Sequence, residues 1–349
     1  MMTCKLCGRN MASEIIGYCK SCIVEHWKEL ETELLGLHAR SRKKFGLPPK
    51  IPRKGIPCAL CANGCRIPNG RLGYCGLRKN ENGKLLHLAG TPEKGLLKYY
   101  YDPLPTNCVA SWCCAERDTR GKSNLAIFYG ACSMNCLFCQ NWHFRFLTKE
   151  MTSFYSSKAV YEKVTDDVAC ICFFGGDPAP QLLHAIDVAK LVMESKKPVR
   201  ICLETNGLEN SAMLKRLANY VIESGGTIKI DLKFFSPELS MAISGVSNER
   251  SYENFAMLAS MLEEARHDCF LVASTLLIPF YVDEDEVFKI AKFIAELNED
   301  LPYSLLAFYP AFLLRDLPTT SREQALRCLR AAKLAGLKRI RIGNVHLLS

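Results

Sequence analysis

From residue 125 onward, apolar runs of strand length alternate with helical stretches, and this rhythm constrains the fold more than any other feature of the chain. The runs span 125–129, 169–174, 199–203, 227–232, 270–277, 304–308 and 339–342; the stretches between them that read as helices include 180–196, 211–224, 252–264, 284–298 and 321–336. Continuous apolar strands joined through helices imply parallel βα units buried on both faces. The expected class is α/β, an open, partial (β/α)6 barrel related to the full eightfold barrel. In such folds the chemistry lies on loops after the carboxyl ends of the strands.

The loop after the first run carries Cys132, Cys136 and Cys139, spaced Cys-x3-Cys-x2-Cys. Three thiols on one short loop can hold three irons of a [4Fe–4S] cluster, which takes four ligands. The iron left without a thiolate is a Lewis-acidic position open to a small molecule. The chain has 19 cysteines among 349 residues. It opens with no apolar signal core, and no run has the uninterrupted apolar length of a membrane helix. A cytoplasmic location with no membrane partner is expected, and there Cys-x-x-Cys pairs point to metal rather than disulfides.

Three further strand ends are unusual. Gly175-Gly176-Asp177-Pro178 follows the second run, where glycines admit a ligand close to the backbone and proline stops strand pairing. Glu204-Thr205-Asn206-Gly207 follows the third. Asp231-Leu232-Lys233 ends the fourth, with acid and base two residues apart on one face. Each alone is an ordinary turn or ion pair; around one mouth they favour a binding site.

Together these motifs resemble the radical S-adenosylmethionine (SAM) superfamily, in its pyruvate formate-lyase activating enzyme-like branch. Within the branch the chain is most similar to the AmmeMemoRadiSam system radical SAM proteins, which carry upstream cysteines and a late strand ending in Gly-Asn, here Gly343-Asn344. The resemblance covers roughly residues 58 to 349. It implies that Cys132, Cys136 and Cys139 hold a [4Fe–4S] cluster whose fourth iron chelates SAM. Phe138 would lie against the adenine, and Gly175, Gly176 and Asp177 would receive the methionine ammonium. Thr205 and Asn206 would approach the ribose or carboxylate, and Asp231 and Lys233 the carboxylate or a bound cation. The family usually has Glu at the position of Asp177, which puts a side-chain role there in doubt. The implied activity is reductive cleavage of SAM to a 5′-deoxyadenosyl radical that abstracts hydrogen from a substrate. That is an oxidoreductase of the glycyl-radical-activating type, with a protein or peptide substrate and an electron donor such as flavodoxin or ferredoxin.

Two cysteine units precede the barrel. Cys4-x2-Cys7-x11-Cys19-x2-Cys22 has the spacing of a zinc ribbon, in which Zn folds a segment too small for its own core. Cys58-x2-Cys61-x3-Cys65-x9-Cys75 is less regular and suits Zn or an auxiliary cluster. The organisation expected is a zinc-ribbon-like unit plus helix over 1–40, a basic Pro-rich linker over 41–57, a Cys-rich extension over 58–120 and the barrel over 121–349. The first unit's helix is expected over 23–38. Cys108, Cys113 and Cys114 read as a loop shielding the cluster. Cys170, Cys172, Cys202, Cys269 and Cys328 fall in apolar runs and read as small core residues. Pro279, Phe280 and Tyr281 are placed near substrate, and His143 and Tyr309 in bland packed or lid roles.

The formal net charge is +9. No aromatic-interleaved recognition motif accompanies the basic stretches, so nucleic acid is disfavoured as a partner. The competing reading is an Fe–S/Zn electron-transfer or partner-binding protein without SAM chemistry, with one of Cys108, Cys113 and Cys114 as fourth ligand. That reading leaves the glycine pair and the other strand ends unused.

Overall fold

The computed structural model describes residues 1–106, 108–265 and 267–349; Asn107, which opens the cysteine loop, lies outside them. One nine-stranded sheet forms the body: β1 (Gly95–Pro103), β2 (Ser123–Tyr129), β3 (Phe154–Tyr155), β4 (Val168–Gly175), β5 (Arg200–Thr205), β6 (Ile228–Asp231), β7 (Leu271–Leu277), β8 (Tyr303–Ala307) and β9 (Ile340–Gly343). Their spatial order is β9-β8-β7-β6-β5-β4-β2-β1-β3. β2 and β4 to β9 run parallel, in chain order, and β1 pairs antiparallel with β2 and β3. All seven apolar runs are strands, joined by six crossovers. β1 falls in the segment read as the Cys-rich extension, yet it is paired with β2 from Leu97 opposite Tyr129 to Pro103 opposite Ser123, and with β3 at Gly95 and Leu96.

The main helices are α1 (Trp27–Lys43), α2 (Phe144–Glu150), α3 (Leu182–Glu194), α4 (Ser211–Ser224), α5 (Pro237–Ser244), α6 (Glu249–Ala259), α7 (Glu284–Leu297) and α8 (Arg322–Leu334). Cap chemistry sets their limits. The Asn210 side chain accepts from the N–H groups of Ala212 and Met213 at the start of α4, and Gly225 ends it at φ 69°. Asp283 and Ser321 cap α7 and α8 in the same way. The helix expected over 23–38 is two: Lys20–Glu25 and α1, broken at His26. Among the described residues no helix is long and apolar enough to cross a membrane.

The pleat gives the sheet two unlike faces. Ile127, Phe173, Leu203 and Ile228 are register partners, fully buried, in one apolar cluster with Val188 and Val192 of α3 and Leu214 and Leu217 of α4. One residue away in each strand, the other face carries Ala126, Cys172 and Cys202, and beyond them Glu204 opposite Lys229.

The first cysteine unit is fastened to the loop after β7. Tyr281 Oη accepts from the Ser13 N–H at 2.9 Å and donates to the Tyr18 carbonyl at 3.1 Å, and Lys20 pairs with Asp283 at 2.6 Å. Tyr281, expected near substrate, is therefore a fully buried anchor for this unit.

Candidate functional site

The three-cysteine loop is held in shape by distant elements. The N–H groups of Asn135 and Leu137 donate to the carbonyls of Ser244 (2.9 Å) and Ile243 (2.9 Å) at the end of α5. From α1, the His38 ring lies between them: Nε2–H donates to the Ala242 carbonyl at 3.0 Å, and Nδ1 accepts from Asn135 Nδ2 at 3.1 Å. Burial lowers His38 to about 4, so the ring is neutral and can play both parts. The second cysteine unit also touches the loop, through Asn63 Nδ2 to the Ser133 carbonyl at 2.7 Å.

The cysteines open onto a cavity of about 520 Å³. Phe138, Gly175, Gly176, Asp177, Thr205, Asn206, Asp231 and Lys233 line it as well, so every barrel residue expected at the site is brought to one space. Its wall also takes in Leu276 of β7, Leu306 of β8 and Asn344 after β9. Strands from both sides of the parallel set thus face one mouth, as a curled partial barrel requires.

Each motif has a local reason. A side chain at Gly176 would sit 2.0 Å from the Ala131 carbonyl oxygen, and Gly175 has φ 113°, so the pair lets the β4 loop nest on the cysteine loop. The Asp177 carboxylate accepts from the N–H groups of Ala179 and Asn206, both at 2.8 Å, and from the Thr205 hydroxyl at 3.2 Å. Burial nevertheless pushes Asp177 up to about 6. Its side chain is committed to tying two strand ends together. Asn206 turns its amide to the cysteine loop, donating to Ser133 Oγ at 3.0 Å and approaching Cys132 Sγ at 3.7 Å. Phe138 is buried edge-on against Phe234.

Asp231 sits between two lysines, Lys229 at 2.8 Å and Lys233 at 2.6 Å, and accepts from Ser274 Oγ at 2.5 Å. Although burial works the other way, the lysines hold its carboxyl well below the usual carboxylate range. Lys229 also reaches Glu204 at 3.3 Å and is held above its ordinary value by both acids, against its burial. Sequence reasoning passed over Lys229, although the period-two spacing of Lys229, Asp231 and Lys233 on one face carries it.

Arg145, on α2, was passed over too. It is 1% exposed and lines the cavity, yet its Nε and Nη1 have no hydrogen-bond partner among the described residues. A buried guanidinium with unused donors fits an anionic group. A cysteine-ligated iron–sulfur cluster and a carboxylate are both of that kind.

The thiol sets differ in spacing. The sulfurs of Cys4, Cys7, Cys19 and Cys22 all lie within 4.8 Å of one another. That fits one tetrahedral ion with metal–sulfur bonds of about 2.3 Å. The backbone N–H groups of Asn10 and Arg9 bring the Cys7 thiol down to about 6. Among the described residues, no three sulfurs of Cys58, Cys61, Cys65 and Cys75 are gathered as closely. Nor are those of Cys132, Cys136 and Cys139.

Other cysteines depart from expectation. Cys113 forms a disulfide with Cys269, so Cys269 is not a free core thiol. Cys108 and Cys114 face a second space within the barrel, which Cys170, Cys172 and Cys202 also line; of the expected core thiols, Cys269 and Cys328 are fully buried in apolar clusters, Cys170 and Cys172 are buried, and Cys202 is half-buried. The segment read as a cluster shield therefore turns Cys108 and Cys114 to this second space, and among its described residues Val109 alone lines the cavity of the three-cysteine loop. His143 is exposed and stacks on Trp142, and Tyr309 lines an outer groove beside it.

Residues 126–294 match the family described as the Radical SAM superfamily. An uncharacterized protein of Methanocaldococcus jannaschii is 26% identical over 85% of this chain and 83% of its own length. A second protein of that organism, named provisionally as a glycyl-radical enzyme activating enzyme, is 26% identical over 52% of this chain and 65% of its own. Among solved structures, a domain of pyruvate-formate lyase-activating enzyme from Bacteroides vulgatus overlaps 50% of this chain and 98% of that one, with 20% identity and a TM-score of 0.40. SuiB of Streptococcus suis, bound to S-adenosylmethionine, overlaps 62% of this chain and 49% of that one, with 13% identity and a TM-score of 0.48.

Proposed function

We propose, from the premise that residues 126–294 form a radical SAM domain, that this chain binds a [4Fe–4S] cluster and SAM in the cavity at the barrel mouth. The observation that carries the reading is convergence: the three-cysteine loop and the ends of β4, β5 and β6 line one cavity of about 520 Å³. When bound, the pair supplies a 5′-deoxyadenosyl radical by one-electron cleavage of SAM.

The chain's own residues have separable tasks. Cys132, Cys136 and Cys139 hold three irons and leave the fourth to the amino and carboxylate groups of SAM. The backbone of Gly175 and Gly176 receives the ammonium; Asp177 contributes by fixing that backbone through its carboxylate rather than by touching the ammonium. Phe138 supports the adenine. Thr205 and Asn206 define the wall toward the ribose. Lys233 offers charge to the carboxylate while Asp231 keeps both lysines in place. Arg145 directs its unused donors at the negative charge of the cluster or of SAM.

The compact Cys4, Cys7, Cys19 and Cys22 set is read as a structural zinc site. Likeness to a protein named provisionally as a glycyl-radical enzyme activating enzyme supports a protein or peptide as substrate; flavodoxin or ferredoxin is the electron donor we propose. The test is anaerobic reconstitution followed by SAM and dithionite, with 5′-deoxyadenosine measured. An intact cluster that yields none would leave an electron-transfer protein instead.

A further inference from the structure

We infer that the barrel holds a second chamber, behind the SAM cavity, which receives one uncharged apolar group of the substrate about the size of a benzene ring. For its connection to chemistry this rests on the SAM reading; for its capacity to bind it does not.

Full barrels fill their interior with bulky branched side chains. Here the inward positions of β2, β4 and β5 are occupied by Ala126, Cys170, Cys172 and Cys202. These small side chains leave a space of about 160 Å³. An apolar cavity of about 150 Å³ in another protein takes up benzene. The segment around Cys108 to Arg117 closes the floor. It is tied down by the Cys113–Cys269 disulfide, by Trp112 Nε1 donating to Ser304 Oγ at 3.0 Å, and by the ion pair of Glu116 with Arg200.

The ceiling is shared. Phe174, Glu204 and Lys229 line both this chamber and the cluster cavity, so a group seated here adjoins the place where SAM is read to react. Apart from Asp102, which forms no ion pair among the described residues, the charges there are paired. Glu204 pairs with Lys229 at 3.3 Å and accepts from Cys108 Sγ at 3.4 Å, and Arg200 is engaged by Glu116. Burial raises Cys108, Cys172 and Cys202, so those thiols are neutral and add weak polarity but no charge. Such walls favour an apolar group over an ionic one.

The test uses the whole protein, purified without oxygen. Partition of radiolabelled benzene from the headspace should show saturable uptake of one molecule per chain. Ala126→Leu and Cys172→Leu, each filling the chamber from a different strand, should weaken uptake at least about tenfold. Circular dichroism and iron content identify the variants that keep their fold. No saturable uptake by the native protein, or unchanged uptake by a folded variant, overturns the chamber. With SAM, dithionite and toluene-d8, deuterium should appear in 5′-deoxyadenosine. The toluene methyl C–D bond breaks, a C–D bond forms at the 5′ carbon leaving a benzyl radical, and dithionite supplies the electron that cleaves SAM. Unlabelled 5′-deoxyadenosine overturns the chamber's link to the reaction. Absence of any 5′-deoxyadenosine overturns the SAM reading instead, while benzene uptake still decides whether the chamber binds.

Discussion

On the helix-facing side of the sheet, Ile127, Phe173, Leu203 and Ile228 sit in register and are fully buried; one residue along, the inner side carries Ala126, Cys172, Cys202 and Lys229. The same strands serve both faces because a side chain reverses direction at each residue. The outer face is packed with branched and aromatic carbon, and the stability of the body resides there. The inner face spends its positions on thiols, paired charges and small residues, which pack poorly and leave room for ligands. A change on one face should therefore be felt in stability, and on the other in chemistry.

The strongest way to sharpen that contrast is Cys136→Ala. We expect loss of the cluster and of 5′-deoxyadenosine to below detection with the barrel still folded, followed by iron content, electron paramagnetic resonance and circular dichroism. On the outer face, Phe173→Ala removes a fully buried ring stacked on Tyr129 at 6.1 Å. It should cost about 3–5 kcal/mol in denaturant unfolding, while the folded fraction keeps its cluster. A cluster lost in proportion to stability would erase the distinction.

The outer face also holds His184, whose Nε2–H donates to the Tyr155 carbonyl at 3.1 Å while Nδ1 accepts from the Tyr129 hydroxyl at 2.7 Å. Burial lowers it from 6.5 to about 4. Between those values the unfolded chain binds a proton that the folded chain refuses. This contribution is complete above pH 6.5 and is lost as pH falls toward 4, on the order of 3 kcal/mol. Urea unfolding across that window should show the loss, to which His38 adds a like share, and His184→Gln should remove about half of it. The smallest effect expected is that of Arg145→Gln on the inner face. Removing a buried positive charge should move the cluster midpoint to more negative potential by about 60 mV, a tenfold change for a one-electron couple. Arg145→Lys should restore part of the shift in a redox titration.

The parallel strands were legible because each is an apolar run with a helix behind it. The bounds of α4 were legible because Asn210 and Gly225 punctuate it. β1 was not: Tyr99 to Pro103 reads as a Pro-ended lead-in, and only pairing with β2 makes it a strand. α2 and α5 are too short to announce a period. At the site, the motifs that end strands could be read, and they do meet. Lys229 escaped notice because it lies a full pleat inside the strand, and Arg145 because the helix that places it was unforeseen. The destination of the Pro279 to Tyr281 loop depends on which surface packs against it, and no local pattern encodes that the first cysteine unit does. Cys170 and Cys172 are buried as their apolar run suggests, but hydropathy does not say which way the sheet curls, so the space they line with Cys202 was not legible.

The cysteine loop is braced by His38, nearly a hundred residues before it, and by Ala242, Ile243 and Ser244, more than a hundred after. During synthesis Cys132, Cys136 and Cys139 leave the ribosome long before the backbone that shapes them exists. Iron delivered to that nascent stretch would meet an unformed loop. On the proposed reading, cluster loading would therefore belong to a late stage of biogenesis, after the first half of the barrel has been translated and α5 has docked.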